Sequence, residues 1–401
     1  MIGKRSARIG MSALLIAAGS CALAAGAVAR IPPPEGTPPE VTALQVSASG
    51  PPRYVFGSDG REHVDYDLVI TNTFTAEVTL KSLTVTSAGK RLLELTGEGI
   101  SSHTHQIIAG EPSARIPASS TVVTLVDVVM PPSAGRTAPR RLSNQIEYTI
   151  PPGALFREAI GSTTVHGPVL QTARRAPVVI ASPLRGSGWA TPNGCCADPT
   201  SRHRNLVLSA NGTYVTPELF AVDWAQVVNR SFFRGDGKQL SDYPDFGAPI
   251  YAVANGTVIS TINDRPEVSP FAPESGNPTV RTPRDFSGNE VVERIGPGLY
   301  AAYEHLQTGS IMVRPGQHLR TGQPIARLGN TGNTTFPHLH FGIQDGPDVL
   351  TSNALPFEID RFTLEGNLTP ATTLTNVVIA GPSRPQRRAE PLVPSVCSFA
   401  G

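Results

Sequence analysis

The stretch Gly329-Asn330-Thr331-Gly332-Asn333-Thr334-Thr335-Phe336-Pro337-His338-Leu339-His340-Phe341-Gly342-Ile343 decides how this chain is read. From His338 onward it reads as a strand, because Leu339, Phe341 and Ile343 alternate and can line one face. His338 and His340 then share the opposite face, where a single cation could meet both imidazoles. A His-x-His pair alone is weak evidence, since such pairs are more often surface coincidences than ligands. Its meaning depends on what else the same domain carries.

Composition bounds the rest. The chain has 401 residues, 39% hydrophobic content and a net charge of +1, enough to bury substantial cores in two domains with extensions. Lysine occurs only at Lys4, Lys81, Lys90 and Lys238, and the absence of a dense basic stripe argues against nucleic acid as a partner. The 38 glycines and 38 prolines favour strands, turns and loops over long helices.

Residues 1–29 read as a signal peptide: Lys4, Arg5 and Arg8 precede an apolar run from Met11 to Ala18, followed by small-residue cleavage sites. The run is short for a membrane span, and no later segment is apolar enough for one, so the mature chain is expected to be periplasmic or secreted with no transmembrane span. A lipid anchor at Cys21 is the less favoured alternative, because Ala18-Gly19-Ser20 lacks the usual leucine three positions upstream. Of the other cysteines, Cys397 is expected to bond to one of Cys195 and Cys196. A bond between the two neighbours is disfavoured because their Cα atoms lie closer across a trans peptide than disulfide geometry prefers. A zinc cluster of Cys195, Cys196 and His203 is disfavoured because adjacent side chains diverge.

Residues 30–40 are a proline-rich linker. Residues 41–180 carry short alternating runs separated by turn clusters, which predicts an all-β fold beginning with an immunoglobulin-like β-sandwich. Within it, His103-Thr104-His105 reads as a solvated loop. Residues 181–368 form a second β-rich domain, and residues 369–401 a polar, arginine-dotted tail anchored by Cys397.

The second domain holds five residues of interest: His203, Asp223, His305, His338 and His340. Catalytic zinc takes three nitrogen or oxygen ligands and keeps one position for water. Two histidines and one carboxylate meet that need and leave two imidazoles over for proton transfer.

The run from Gly316 to Asn333 leading into His338-Leu339-His340-Phe341, together with Phe246 to Val258 and Tyr303-Glu304-His305-Leu306, resembles the lysostaphin and LytM family of zinc peptidases. The resemblance covers about residues 202–343 and does not reach the N-terminal sandwich. It implies a duplicated-hybrid-motif β fold and an exported zinc metalloendopeptidase that hydrolyses peptidoglycan peptides. It further implies one Zn2+ ligated by His203, Asp223 and His340, with catalytic His305 and His338 beside the bound water. The alternative is a catalytically silent relative that binds wall peptides or activates another hydrolase. The sandwich could serve a wall or regulatory partner. Two features depart from the family pattern: nineteen residues separate His203 from Asp223, where three are usual, and the segment 264–284 is enlarged. Glu304 is expected to face away from the metal and to be structural.

Overall fold

Along Glu62–Asn72, Val64, Tyr66, Leu68 and Ile70 alternate into one apolar core, and Val122, Val126 and Val128 of the paired strand Thr121–Val129 join them. The β-branched and aromatic side chains on both strands suit a pleated, buried surface. In the computed structural model these strands centre a five-stranded antiparallel sheet. A six-stranded sheet built on Val78–Ser87 and Arg141–Thr149 supplies the other half of the same core. The structure describes residues 40–400 except 108–110, 133–137, 197, 200 and 273–280. The expected signal peptide, Cys21 and the linker up to residue 39 therefore lie outside the described residues.

Beyond residue 177 the described chain forms one large sheet of thirteen strands and two separate two-stranded sheets. The central order of the large sheet runs Ser395–Phe399, Gly186–Ala190, Val222–Gln226, Leu339–Gln344, Leu299–Glu304 and Glu290–Gly296. Trp224, Leu339, Phe341, Ile343 and Tyr303 fill the core on one side of it. Asp223, His340 and Glu304 lie in register across three adjacent strands, so all three belong to the other side. The described residues are almost entirely β, as the glycine and proline content leads one to expect; the only α-helix among them is Glu98–Ser102.

Three local expectations are corrected. Cys195 and Cys196 bond to each other, and Cys397 is a buried free thiol. Cys397 pairs with Trp189 and Leu364 inside the large core, whereas Cys195 and Cys196 pack with Val55, Leu219, Phe220 and Leu392 in a different cluster. Nor is His103-Thr104-His105 a solvated loop: Thr104–Gln106 is a strand paired with Thr121–Val129, and His105 is buried. The segment 369–401 contributes the strands Ile379–Ala380, Arg384–Ala389 and Ser395–Phe399, the last inserted between two strands of the large sheet.

Candidate metal centre

Strand pairing sets the row Asp223–His340–Glu304, and two irregular segments bring in the remaining groups. His203 sits in the 3-10 turn Arg202–Asn205, which folds back over the sheet so that its Nε2 lies 3.1 Å from Asp223 Oδ2. The long separation in sequence thus closes completely in space, consistent with the slow growth of loop-closure cost with length. His305 follows the strand Leu299–Glu304 with a left-handed φ of 59°. That turn breaks the strand alternation, so both Glu304 and His305 face the site.

The donor atoms of His203, Asp223 and His340 all lie within 4.8 Å of one another. Asp223 Oδ1 accepts from His340 Nδ1 at 2.9 Å, and its Oδ2 accepts from Asn193 Nδ2 at 2.9 Å. The His338 Nε2 is 3.5 Å from Asp223 Oδ1. The rings of His305 and His338 are 4.8 Å apart between centroids, and His203 and His340 are 4.7 Å apart. All five residues line one cleft of about 280 Å³ with Arg202, Glu218, Phe286 and Phe336 on its walls.

Carbonyl oxygens fix three of the tautomers, because a carbonyl only accepts. His203 Nδ1 donates to Ala221 O at 2.9 Å, His305 Nδ1 to Thr331 O at 2.8 Å, and His338 Nδ1 to Phe336 O at 2.8 Å. Each ring, when neutral, therefore carries its lone pair on Nε2, where a cation or a proton can take it; in His203 that atom faces Asp223 Oδ2. His340 differs, with Nδ1 toward Asp223 and Nε2 3.9 Å from Glu304 Oε1.

The electrostatics separate these groups into two kinds. Burial opposes charge on His340, yet Glu304 and Asp223 push its pKa up to about 10. His203 is likewise raised against its burial by Asp223, and Asp223 is held well below the usual carboxylate range by His203 and His338 despite being buried. This trio draws in positive charge, as a cation site must. Burial, with the neighbouring imidazoles, pushes His305 well below the ordinary histidine value. Burial also lowers His338, although Asp223 works the other way. Both shifts favour the neutral form of these two rings. The residues present fit a zinc ion: two imidazoles and one carboxylate, charge-attracting and buried, beside an open cleft.

Glu304 corrects its sequence reading. It stands directly opposite His340 across the sheet, faces the cleft side, and is pushed by burial to about 8. Asn193 and Glu218 carried no signal in the sequence, because neither belongs to a recognisable motif. A second grouping, Asp65 with Cys195 and Cys196, is buried elsewhere; its sulfurs are bonded to each other and offer no thiolate.

Residues 242–351 match the model of peptidase family M23. The matched span contains His305, His338 and His340 and begins after His203 and Asp223. Peptidoglycan DD-endopeptidase ShyA of Vibrio cholerae is 33% identical over 95 residues, which cover 24% of this chain and 17% of that protein. ShyB of the same organism is 32% identical over 97 residues, covering 24% and 18%. Among solved structures, the catalytic domain of lysostaphin from Staphylococcus simulans is 18% identical over 42% of this chain and 88% of that one, with a TM-score of 0.23.

Proposed function

We propose, from the premise that residues 242–351 belong to peptidase family M23, that this protein is an exported zinc metalloendopeptidase acting on peptide bonds of peptidoglycan. The observation that carries the reading is the convergence of His203, Asp223 and His340 within 4.8 Å, with two neutral imidazoles beside them. The names of the relatives support peptidoglycan peptides as the substrate class, and that substrate supports a periplasmic or secreted location. No helix among the described residues is long and apolar enough to cross a membrane.

His203, Asp223 and His340 would hold the ion. A bound zinc supplies an acidified water and a Lewis acid for the scissile carbonyl. The Asp223 carboxylate provides the negative charge, and Asn193 keeps its second oxygen oriented by donating to it. His305 and His338 present unprotonated Nε2 atoms toward the cleft, held there by the Thr331 and Phe336 carbonyls. One accepts the proton of the attacking water and passes that same proton to the departing amine, while the other stands beside the developing oxyanion, to which it donates after taking a proton from solvent. Because burial favours the neutral form of both rings, each offers Nε2 as a proton acceptor, and the same burial favours giving that proton up again.

The test is zinc-loaded full-length protein incubated with purified peptidoglycan. Soluble peptides should appear, and His340→Ala should abolish both zinc retention and release. Undiminished digestion by His340→Ala would refute the metal mechanism. Zinc binding without any released peptide would favour the alternative of a silent wall-peptide binder.

A further inference from the structure

The sandwich strand Glu62–Asn72 has two buried faces. Val64, Tyr66 and Leu68 enter its own core, while Asp65 and Asp67, each 0% exposed, point the other way. Arg204 reaches this second face from the large sheet's side. Its Nη2 lies 2.6 Å from Asp65 Oδ1 and its Nη1 3.3 Å from Asp67 Oδ1, with the side chain 1% exposed. Arg204 directly follows His203 in the same 3-10 turn.

Apolar contacts hold the flanking chain to the same surface. Val207 packs on Val123 and Leu125 of the sandwich, and Leu219 and Phe220 cluster with Val55. Arg204, Val207, Leu219 and Phe220, all between His203 and Asp223, thus dock on the sandwich. A buried ion pair adds little net stability over apolar packing, but it fixes register, because either partner moved away leaves an uncompensated buried charge.

We propose that Asp65 and Asp67 are positioning residues of the metal centre: through Arg204 they fix the turn that presents His203, so the sandwich completes the ligand set. This rests on the reading of His203 as a metal ligand. In metal sites, groups that orient a ligand typically change affinity 10–100-fold when removed.

The test is a double-mutant cycle on the full chain, reading zinc affinity by chelator competition and folding by circular dichroism. The clamp is removed by Asp65→Asn with Asp67→Asn and Arg204→Met, which leaves no buried charge unpaired. Affinity should fall roughly 10–100-fold in the native background. In the His203→Ala background the same three substitutions should change it less than about twofold, because the ligand they position is already gone. Native affinity in the clamp variant overturns the proposal, as does an equal loss in both backgrounds, which would mark a general structural effect. An unchanged affinity in His203→Ala alone overturns the ligand reading itself, and the proposal with it. Should the triple variant not fold, Arg204→Lys, which keeps the charge but cannot reach both carboxylates with separate nitrogens, is read in the same cycle: a loss confined to the native background supports the proposal, and no loss or an equal loss in both backgrounds overturns it.

Discussion

Asp223 serves four groups with two oxygens: His340 and His338 approach Oδ1, and His203 and Asn193 approach Oδ2. It therefore anchors the centre more than any single imidazole does, and Asp223→Asn should abolish zinc retention in metal analysis of the purified protein. His305→Ala and His338→Ala should separate from the ligand variants. Both should keep zinc while losing about 10²–10⁴-fold in peptide release, the usual contribution of a positioned acid or base. Glu304 stands 3.9 Å from the Nε2 edge of His340, so its carboxyl oxygen can hold an Nε2 proton when Nδ1, which donates to Asp223 in this structure, turns to a cation. Glu304→Gln should lower zinc affinity about tenfold by chelator competition, and native affinity would reduce it to a packing residue. That His203, Asp223, His305, His338 and His340 belong together was legible in the sequence because their types and order resemble a known pattern, and the structure brings all five to one cleft. Glu304 was misread because alternation breaks at His305, where a left-handed backbone turns two successive side chains to one side.

At the scale of elements, the loop before His338 supports His305 through its backbone. Thr331 offers its carbonyl to His305 Nδ1, and Gly288 and Gly332 let the two chain segments touch there. Both glycines have positive φ, 68° and 82°, and a Cβ on Gly288 would collide with the Thr331 carbonyl. Gly288→Ala should therefore cost about 1–3 kcal/mol in denaturant unfolding and reduce peptide release more than zinc affinity, since Thr331 contacts a proton acceptor rather than a ligand. The central strands were legible because apolar residues alternate along Val222–Gln226 and Leu339–Gln344. The strand Arg384–Ala389 was not, because its mostly exposed Arg-Pro-Gln-Arg-Arg-Ala sequence has no apolar period and reads as a polar tail.

Across the whole molecule, the sandwich and the large sheet share buried polar surface that the sequence disguises. His63-Val64-Asp65-Tyr66-Asp67-Leu68 alternates polar and apolar, which ordinarily means one wet face, yet His63, Asp65 and Asp67 are all buried. A second body covering that face cannot be read from a one-strand pattern. The burial has a pH signature. Although burial opposes it, the neighbouring Asp127 and Asp59 carboxylates raise His63 to about 10. A histidine raised on folding contributes stability that is fully present below its unfolded pKa of about 6.5 and is lost as pH rises through the folded value. The melting temperature of the zinc-loaded protein should therefore fall between about pH 6.5 and 10, and His63→Asn should flatten that slope. Parallel slopes in the two proteins would contradict the assignment. The centre itself is tested most directly by zinc-edge X-ray absorption on the loaded full-length chain. A site made by His203, Asp223 and His340 gives one zinc with only nitrogen and oxygen neighbours at about 2.0–2.2 Å, lost in the His340→Ala protein. Sulfur scattering at about 2.3 Å, or an unchanged spectrum in that variant, would contradict it.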